Sequence, residues 1–433
     1  MRFLGIGETN DLGDMYLRLI REGHEVRVHM SDEDSKDVMQ GMIEFVPEWR
    51  SSLTWIKEAG QDGIIVFETA NAGEEQDDLR RRGFNVVGGS GLGDRLESDR
   101  AFGQRILRDH GLNTACSREF LSFDDAIAFL ESNPGRYVFK LSGSNWSSTR
   151  NYVGQMDSAK DMIALLVAMK DYWEFDEQPA FVLMEFVDGI EVGVGAFFNG
   201  KSFLDPPNLD WEHKRFFAGD IGELTGEMGT VVTYRGAHRL FENTLAKLAP
   251  LLRESGYCGY INLNTIVNER GVWPLELTCR FGYPGFAILD SLHDDSWATI
   301  LSGLTSQSAK SIRTKDGYSV GIVLTVPPFP YPDGYEAHGK GTPISFRENT
   351  SDEDLDSLHM GEVTMRNGQL RTAGMIGYIM VVTATGTTIE EARAGAYQRA
   401  GKVVIPNVRY RNDIGLRLVE GDLARLRKLG WVE

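Results

Sequence analysis

The chain is poor in the features that would tie it to an oxidising compartment, a membrane or nucleic acid. Only three cysteines, Cys116, Cys258 and Cys279, occur in 433 residues. An odd number without metal-like spacing reads as reduced thiols and points to the cytoplasm. No stretch stays apolar over the roughly 20 residues that span a bilayer. Residues 1–8 show neither the basic head nor the apolar run of a secretory signal, so neither a membrane nor export is expected. Lys and Arg total 45 against 63 Asp and Glu, a net charge of -18. Binding to a phosphate backbone wants a basic face, which weighs against a nucleic-acid partner. The eight histidines show no zinc-type pairing with each other or with cysteine, and there is no serine nucleophile elbow, internal repeat or low-complexity tract.

The composition is that of an ordinary globular protein, 42% hydrophobic and 25% charged, and the length suits two to four packed modules. An apolar strand at 2–7, a loop at 8–13, a helix at 14–22, Gly23 and a strand at 24–28 make one βαβ unit. Further strands at 63–67 and 85–88 extend it to an open parallel sheet with helices. Ligands of such sheets lie at the carboxyl ends of the strands, which places Gly7, Asn10 and Asp11 at a candidate site. The glycines there fall short of a dinucleotide fingerprint. Next come helix patterns at 98–110 and 123–132, a strand at 137–140, a polar loop at 141–148 and a helix at 158–172. Strands at 180–189 and 191–198 lead to the turn Asn199-Gly200. A longer helix is expected at 239–255, then strands at 259–268 and 272–278 around a turn at 269–271. Residues 318–433 read as a small β-rich module with one strong helix at 389–402. The fold class is therefore α/β with α+β.

Several positions suit chemistry. Lys140 ends an apolar strand beside a loop containing Ser144, Asn145 and Trp146, where a point charge and close backbone amides fit phosphate oxygens. A surface lysine before a turn is the plain alternative. The stretch from Leu183 through Glu185, Phe186 and Val187 to Glu191 could present backbone amides to a flat base and a carboxylate to ribose hydroxyls; it could also be only a strand and turn. Glu276 and Thr278 share a strand face, and Arg280 follows. Hard oxygens suit Mg²⁺, and the arginine suits a phosphoryl group or acyl phosphate. A structural ion pair is the competing reading. His213 sits in the polar cluster Trp211-Glu212-His213-Lys214-Arg215, and a glycine-rich loop follows at 222–230.

Taken in order, these pieces resemble the glycinamide ribonucleotide synthetases, which are ATP-grasp ligases. The likeness is best from about residue 96 onward. It rests on Leu96-Glu97-Ser98-Asp99-Arg100-Ala101-Phe102, on 185–191, on Glu212-His213-Lys214-Arg215, and on Leu224-Thr225-Gly226-Glu227-Met228-Gly229. Glu276 to Pro284, Gly386 to Ala392 and Tyr410 to Gly415 complete it. The resemblance implies an N-terminal open parallel α/β substrate domain at 1–95 and linker helices at 96–135. It implies an ATP-grasp lid subdomain at 136–198, a catalytic subdomain at 199–317 and a small β-rich C-terminal domain at 318–433. It implies ATP held by Arg100, Lys140, the 185–187 backbone and Glu191, and Mg²⁺ held by Glu276. Arg280, Lys214 and His213 would serve catalysis, and Gly7, Asn10, Asp11, Thr225, Gly226 and Glu227 the substrates.

The departures from the family pattern matter too. Gly7-Glu8-Thr9-Asn10-Asp11 replaces its early Gly-Gly-Arg-Glu-His. Thr278 stands for the metal-site Asn, with Asn264 on the neighbouring strand a candidate replacement. Tyr283 stands for Asp, Glu227 for Gly, and Ala373-Gly374-Met375 for a late Gly-Gly-Arg. The expectation is an ATP-dependent carboxylate–amine ligase, monomer or dimer, with an altered amine substrate. The alternatives are a genuine phosphoribosylamine–glycine ligase of purine biosynthesis and a nucleotide-binding protein without ligase activity.

Overall fold

The computed structural model describes residues 1–142, 150–173 and 179–433. Ser144, Asn145 and Trp146 lie outside the described residues.

The first module is a five-stranded parallel sheet: β1 (Arg2–Gly7), β2 (Glu25–Met30), β3 (Glu44–Phe45), β4 (Gly63–Phe67) and β5 (Asn85–Val87), in the order β3-β2-β1-β4-β5. β4 is buried along its whole length, as a central strand covered on both faces must be. The helix Gly13–Arg21 buries Met15, Tyr16 and Leu19 on one stripe. The strand order reverses between β1 and β4, so their carboxyl ends open a crevice at Gly7 and Glu68.

The helix expected at 98–110 is Arg100–Asp109, and a second helix, Gly91–Ser98, precedes it. Asp99 separates them: its backbone is extended and its carboxylate accepts from the Phe102 N–H at 2.9 Å, capping the second helix.

A small antiparallel sheet follows, built from β6 (Ser117–Phe120), β7 (Tyr137–Leu141), β8 (Tyr152–Val153) and β9 (Phe181–Glu185) in the order β6-β9-β7-β8. Phe120, Phe123 and Phe139 pack on Phe181 with centroids 5.1–5.7 Å apart, under the helices Phe123–Ser132 and Lys160–Asp171. This lid sheet starts earlier than residue 136 and ends at Glu185, because the next strand pairs elsewhere.

That strand, β10 (Ile190–Asn199), enters the main sheet with β11 (Asn208–Glu212), β14 (Gly229–Thr233), β15 (Cys258–Asn268) and β16 (Gly271–Thr278). The hairpin β12 (Arg215–Phe217) and β13 (Ile221–Leu224) projects between β11 and β14. From the C-terminal region come β17 (Tyr318–Thr325), β19 (Leu358–Met360) and β22 (Tyr378–Gly386). The order is β16-β15-β10-β11-β14-β17-β22-β19, so the C-terminal strands continue the main sheet rather than forming a separate one. Short ladders of β18 (Ser345–Phe346) with β23 (Val403–Val404), and of β20 (Val363–Arg366) with β21 (Gln369–Thr372), decorate its end. One face of this sheet is apolar: Val192, Val194, Leu209, Trp211, Val231, Ile261 and Leu263 join a single core.

The long helix expected at 239–255 is three short pieces, His238–Asn243, Leu245–Leu248 and Ala249–Glu254. Thr244 leaves the helical region and Pro250 starts the last piece, where it lacks an N–H to carry a helix through. Among the described residues no helix is long and apolar enough to cross a membrane.

Candidate active site

The other face of the main sheet carries the site. In β11, β15 and β16, polar residues alternate with apolar ones, so Asn208, Asp210 and Glu212, then Asn262 and Asn264, then Glu276 and Thr278, point the same way. Register aligns them in rows. Asp210 pairs with Gly193, Gly193 with Asn264 and Asn264 with Glu276, while Asn208, Gly195, Asn262 and Thr278 form the adjacent row. The two glycines make room in the floor. A Cβ at Gly193 would lie 2.0 Å from Asp210 Oδ1, and one at Gly195 would meet the Tyr260 hydroxyl.

Glu276 is the hub. Arg100 donates to it at 2.7 Å and Lys140 at 3.3 Å, and the Lys214 ammonium lies 3.4 Å away. Lys140, first of all, with Lys214 and Arg100 holds its carboxyl well below the usual carboxylate range in spite of burial. Lys214 also touches Glu191 and Glu212, each at 3.0 Å. Burial presses its pKa down, but these three carboxylates override that and hold the ammonium charged. Lys140 moves the other way: burial lowers its pKa, and Glu276 offsets only part. Glu191, Lys214, Glu276, Lys140 and Arg100 thus meet at one point. Asn264 donates to Glu212 at 3.1 Å through its amide nitrogen, which leaves its carbonyl oxygen free to accept or ligate, and it lies across from Glu276 in the register, with Thr278 in the next row. A carboxylate, an amide oxygen and a hydroxyl are hard donors of the kind Mg²⁺ uses when phosphates complete its shell, so the residues fit that ion.

Other expected residues stand apart. His213 does not join the cluster. It is buried, its Nε2 accepts the Gly415 N–H at 3.0 Å, and burial with Arg411 nearby lowers its pKa to about 4. It is a neutral acceptor that ties the sheet to the C-terminal segment. The Glu185 and Phe186 N–H groups, expected to face adenine, donate at 2.8 and 2.9 Å to the Cys116 and Arg136 carbonyls. Arg280 is held by Glu97 at 2.9 Å and feels Asp11 across the crevice, so it sits between the two modules rather than on Glu276. Thr225 serves its loop, bonding the Lys214 carbonyl through both N–H and hydroxyl at 2.8 Å. Gly226 and Glu227 line the cleft. Asn10 is buried with a left-handed backbone, and Gly7 is required because a Cβ there would strike Glu68.

The sequence reading missed Asp210, Asn208, Asn262 and Tyr260. Their signal is a period of two in Asn208-Leu209-Asp210-Trp211-Glu212 and Tyr260-Ile261-Asn262-Leu263-Asn264, polar side chains repeated along strands otherwise fit for a core. It missed Glu68 and Glu362 as well. Glu362 accepts the backbone N–H groups of Met375, Ile376, Gly377 and Tyr378 at 2.6–3.2 Å, and burial raises it to about 7. Glu68 accepts the Tyr16 hydroxyl at 2.9 Å through one carboxylate oxygen, and burial raises it to about 8.

A lid carrying a lysine, a main sheet carrying carboxylates and a parallel-sheet module across the crevice define an ATP-grasp ligase. The sequence matches the phosphoribosylglycinamide synthetase ATP-grasp (A) domain over residues 98–286 and the C domain of the same synthetase over 319–417. The chain belongs to the ATP-grasp family in its phosphoribosylglycinamide synthetase branch. It is 28% identical over 351 residues to a phosphoribosylamine–glycine ligase of Pseudomonas aeruginosa, covering 79% of each chain. To that of Listeria innocua it is 26% identical over 330 residues, 74% of this chain and 76% of the other. The fold is that of a crystal structure of phosphoribosylamine–glycine ligase from Thermotoga maritima, with a TM-score of 0.72 at 21% identity over 96% of this chain and 100% of that one.

Proposed function

We propose that the chain is an ADP-forming ligase that joins a carboxylate to an amine through an acyl phosphate. The meeting of Arg100, Lys140 and Lys214 on Glu276, beside Asn264 and Thr278, carries this reading. Arg100 and Lys140 are the cations that phosphate oxygens of ATP would claim, and Glu191 would accept from the ribose hydroxyls. A phosphate chain that draws Arg100 and Lys140 away frees Glu276. Glu276, Asn264 and Thr278 would then hold Mg²⁺, which when bound offsets phosphate charge. The carboxylate substrate attacks the γ-phosphorus and ADP leaves. The amine next adds to the acyl carbon and expels phosphate, giving the amide. Lys214 stays charged throughout and neutralises the carboxylate cluster. Arg280, steadied by Glu97, is placed to meet the acyl phosphate from the crevice side. The chain's work is chiefly to orient the reactants and exclude water, since an acyl phosphate hydrolyses readily.

The names of the relatives support glycine and phosphoribosylamine as the pair joined, and they lend nothing to the expectation of an altered amine. One observation favours that second reading. A loop bordering the crevice, at 375–378, gives its backbone amides to the chain's own Glu362. An internal carboxylate at such amides competes with a substrate phosphate for the same donors. ADP release with Mg²⁺ and ATP, measured with glycine and with or without phosphoribosylamine, decides between them. Turnover requiring both supports the first reading. Silence on that pair, with ADP release on another carboxylate and amine, supports the second. Nucleotide binding with no turnover of any pair would sink the ligase reading.

A further inference from the structure

A groove of about 680 Å³ lies on the seam between the N-terminal module and the C-terminal region, and no residue that lines it lines the reaction cleft. Three segments build it: the loop after β2 at 33–37, the turn at 336–341 and the hairpin of β20 and β21. Backbone bonds hold them together. The Met365 N–H donates to the Gln40 carbonyl at 3.0 Å, the Gly341 N–H to the Thr372 carbonyl at 2.9 Å, and the Gly374 N–H to the Asp37 carboxylate at 3.1 Å. The turn Asn367-Gly368, with φ values of 52° and 73°, closes the hairpin tightly.

The hairpin presents two arginines to the groove from one face. Thr364 pairs with Arg371 and Arg366 with Gln369, so Arg366 and Arg371 are diagonal neighbours across the ladder. Such neighbours stand about 7–8 Å apart, within reach of long side chains that close on one group between them. Neither arginine has a carboxylate partner. Arg366 is exposed and makes no hydrogen bond or ion pair among the described residues. Arg371 makes one bond, to the Gly341 carbonyl at 3.2 Å, which steadies its fork without neutralising it.

The acids of the groove are mostly answered from within. Lys36 pairs with Glu33, and Lys340 lies 3.3 Å from Asp37 and 3.0 Å from Glu336. Asp34 alone of the lining acids has no ion pair among the described residues, so two guanidiniums stand against one carboxylate. In a chain with 63 acids against 45 Lys and Arg, an arginine readily finds an internal carboxylate, and two left without one on the same face mark a place for an outside anion. A guanidinium fork matches the oxygens of a phosphate or a carboxylate. The volume lies in the range of small-molecule sites, about 300–1,000 Å³.

We propose that this groove binds a small molecule carrying two negative charges on oxygen, a phosphate monoester or a dicarboxylate, held between Arg366 and Arg371. A ligand seated there touches both the N-terminal loop and the hairpin, so it ties the two modules together and stabilises the folded chain by mass action. The site is separate from the ligase chemistry and does not depend on it.

Calorimetric titration of the full chain tests this. Mg²⁺ and a non-hydrolysable ATP analogue are present throughout, so that the cations of the reaction cleft are engaged. One arm titrates ribose 5-phosphate and the other succinate. The expected result is a site with a Kd of about 1 mM or tighter in at least one arm, and the arm that binds tells phosphate from dicarboxylate. Arg366→Gln, at an exposed position beside the turn, should weaken that site about tenfold or more, and Arg371→Gln should do the same. The proposal is overturned if neither ligand binds at that strength. It is overturned equally if Arg366→Gln, with an unchanged circular dichroism spectrum, binds as the wild type does, because the ligand then sits elsewhere, the crevice beside Arg280 included.

Discussion

Lys214→Met removes the one ammonium shared by Glu191, Glu212 and Glu276 while keeping the length of the side chain. The contacts are 3.0, 3.0 and 3.4 Å. At an effective dielectric near 20, each has a gross Coulomb energy of about 5 kcal/mol. Most of that is offset by desolvation and by the partial exposure of the carboxylates, 35% for the Glu191 side chain. Breaking a buried ion pair by removing one partner costs about 3–5 kcal/mol, and the exposure places this case at the lower end, about 3 kcal/mol. For a chain of this length that is a fall in Tm of roughly 3–6 °C. The loss should also depend on pH. Without Lys214, Glu191 and Glu212 lose their shared counter-charge and repel each other when both are ionised, whereas Glu276 keeps Arg100 and Lys140. The folded variant then binds more protons than the unfolded chain just above the ordinary carboxylate range, so its stability falls as pH rises. The deficit against wild type, measured by thermal unfolding, should be larger at pH 8.5 than at pH 5.5. An equal deficit at the two pH values, or one under about 1 kcal/mol at both, would refute the assignment of Lys214 as the neutralising cation of this cluster.

Glu276→Gln keeps the volume but removes the charge that would bind Mg²⁺, and ADP release with the productive substrate pair should fall by about a hundredfold or more while the circular dichroism spectrum is unchanged. Gly193→Ala places a methyl 2.0 Å from Asp210 Oδ1; a loss of about 1–3 kcal/mol in denaturant unfolding is expected, and wild-type stability would show that the floor is looser than described. His213, held near a pKa of about 4 by burial and Arg411, stays neutral in the folded chain and is protonated in the unfolded chain below its ordinary value of 6.5. Its contribution is therefore lost as pH falls, by about 2 kcal/mol between pH 7 and pH 5. His213→Gln should flatten that part of the stability profile, and an unchanged slope would place the titration elsewhere.

How much of the architecture was readable depended on whether local pattern and tertiary pairing agreed. The βαβ start was legible because β1, the helix Gly13–Arg21 and β2 each carry their own periodicity and Gly23 punctuates them. Domain edges were less so. The strand at 190–199 looks like a continuation of the lid because it follows β9 closely, yet it pairs with Cys258–Asn268, a partner nearly 70 residues away that no local signal announces. The same holds for the C-terminal strands: Tyr318–Thr325 pairs with Gly229–Thr233 and so extends the catalytic sheet, whereas composition alone suggested an independent module. The break of the 239–255 helix was within reach, since Pro250 lies inside it.

The site divides along a physical line. Lys140, Glu191, Lys214 and Glu276 were found because charge is conspicuous at the end of an apolar strand, and the structure brings all of them together. His213 and Thr225 were chosen because the stretches that hold them resemble family motifs. Both lie just past strand ends, and their side chains turn to backbone partners instead. The residues that shape the substrate end were hidden for the converse reason. Asp210, Asn262 and Gly193 are separated in sequence by up to 69 positions and meet only through the pairing of β11, β10 and β15. Gly193 looks like a weak point in a strand until the carboxylate lying over it is seen. A site built partly from strand ends and partly from strand middles shows the first in its sequence more clearly than the second. Strand ends are where charge can sit without a pairing partner, and strand middles gain their meaning from the register.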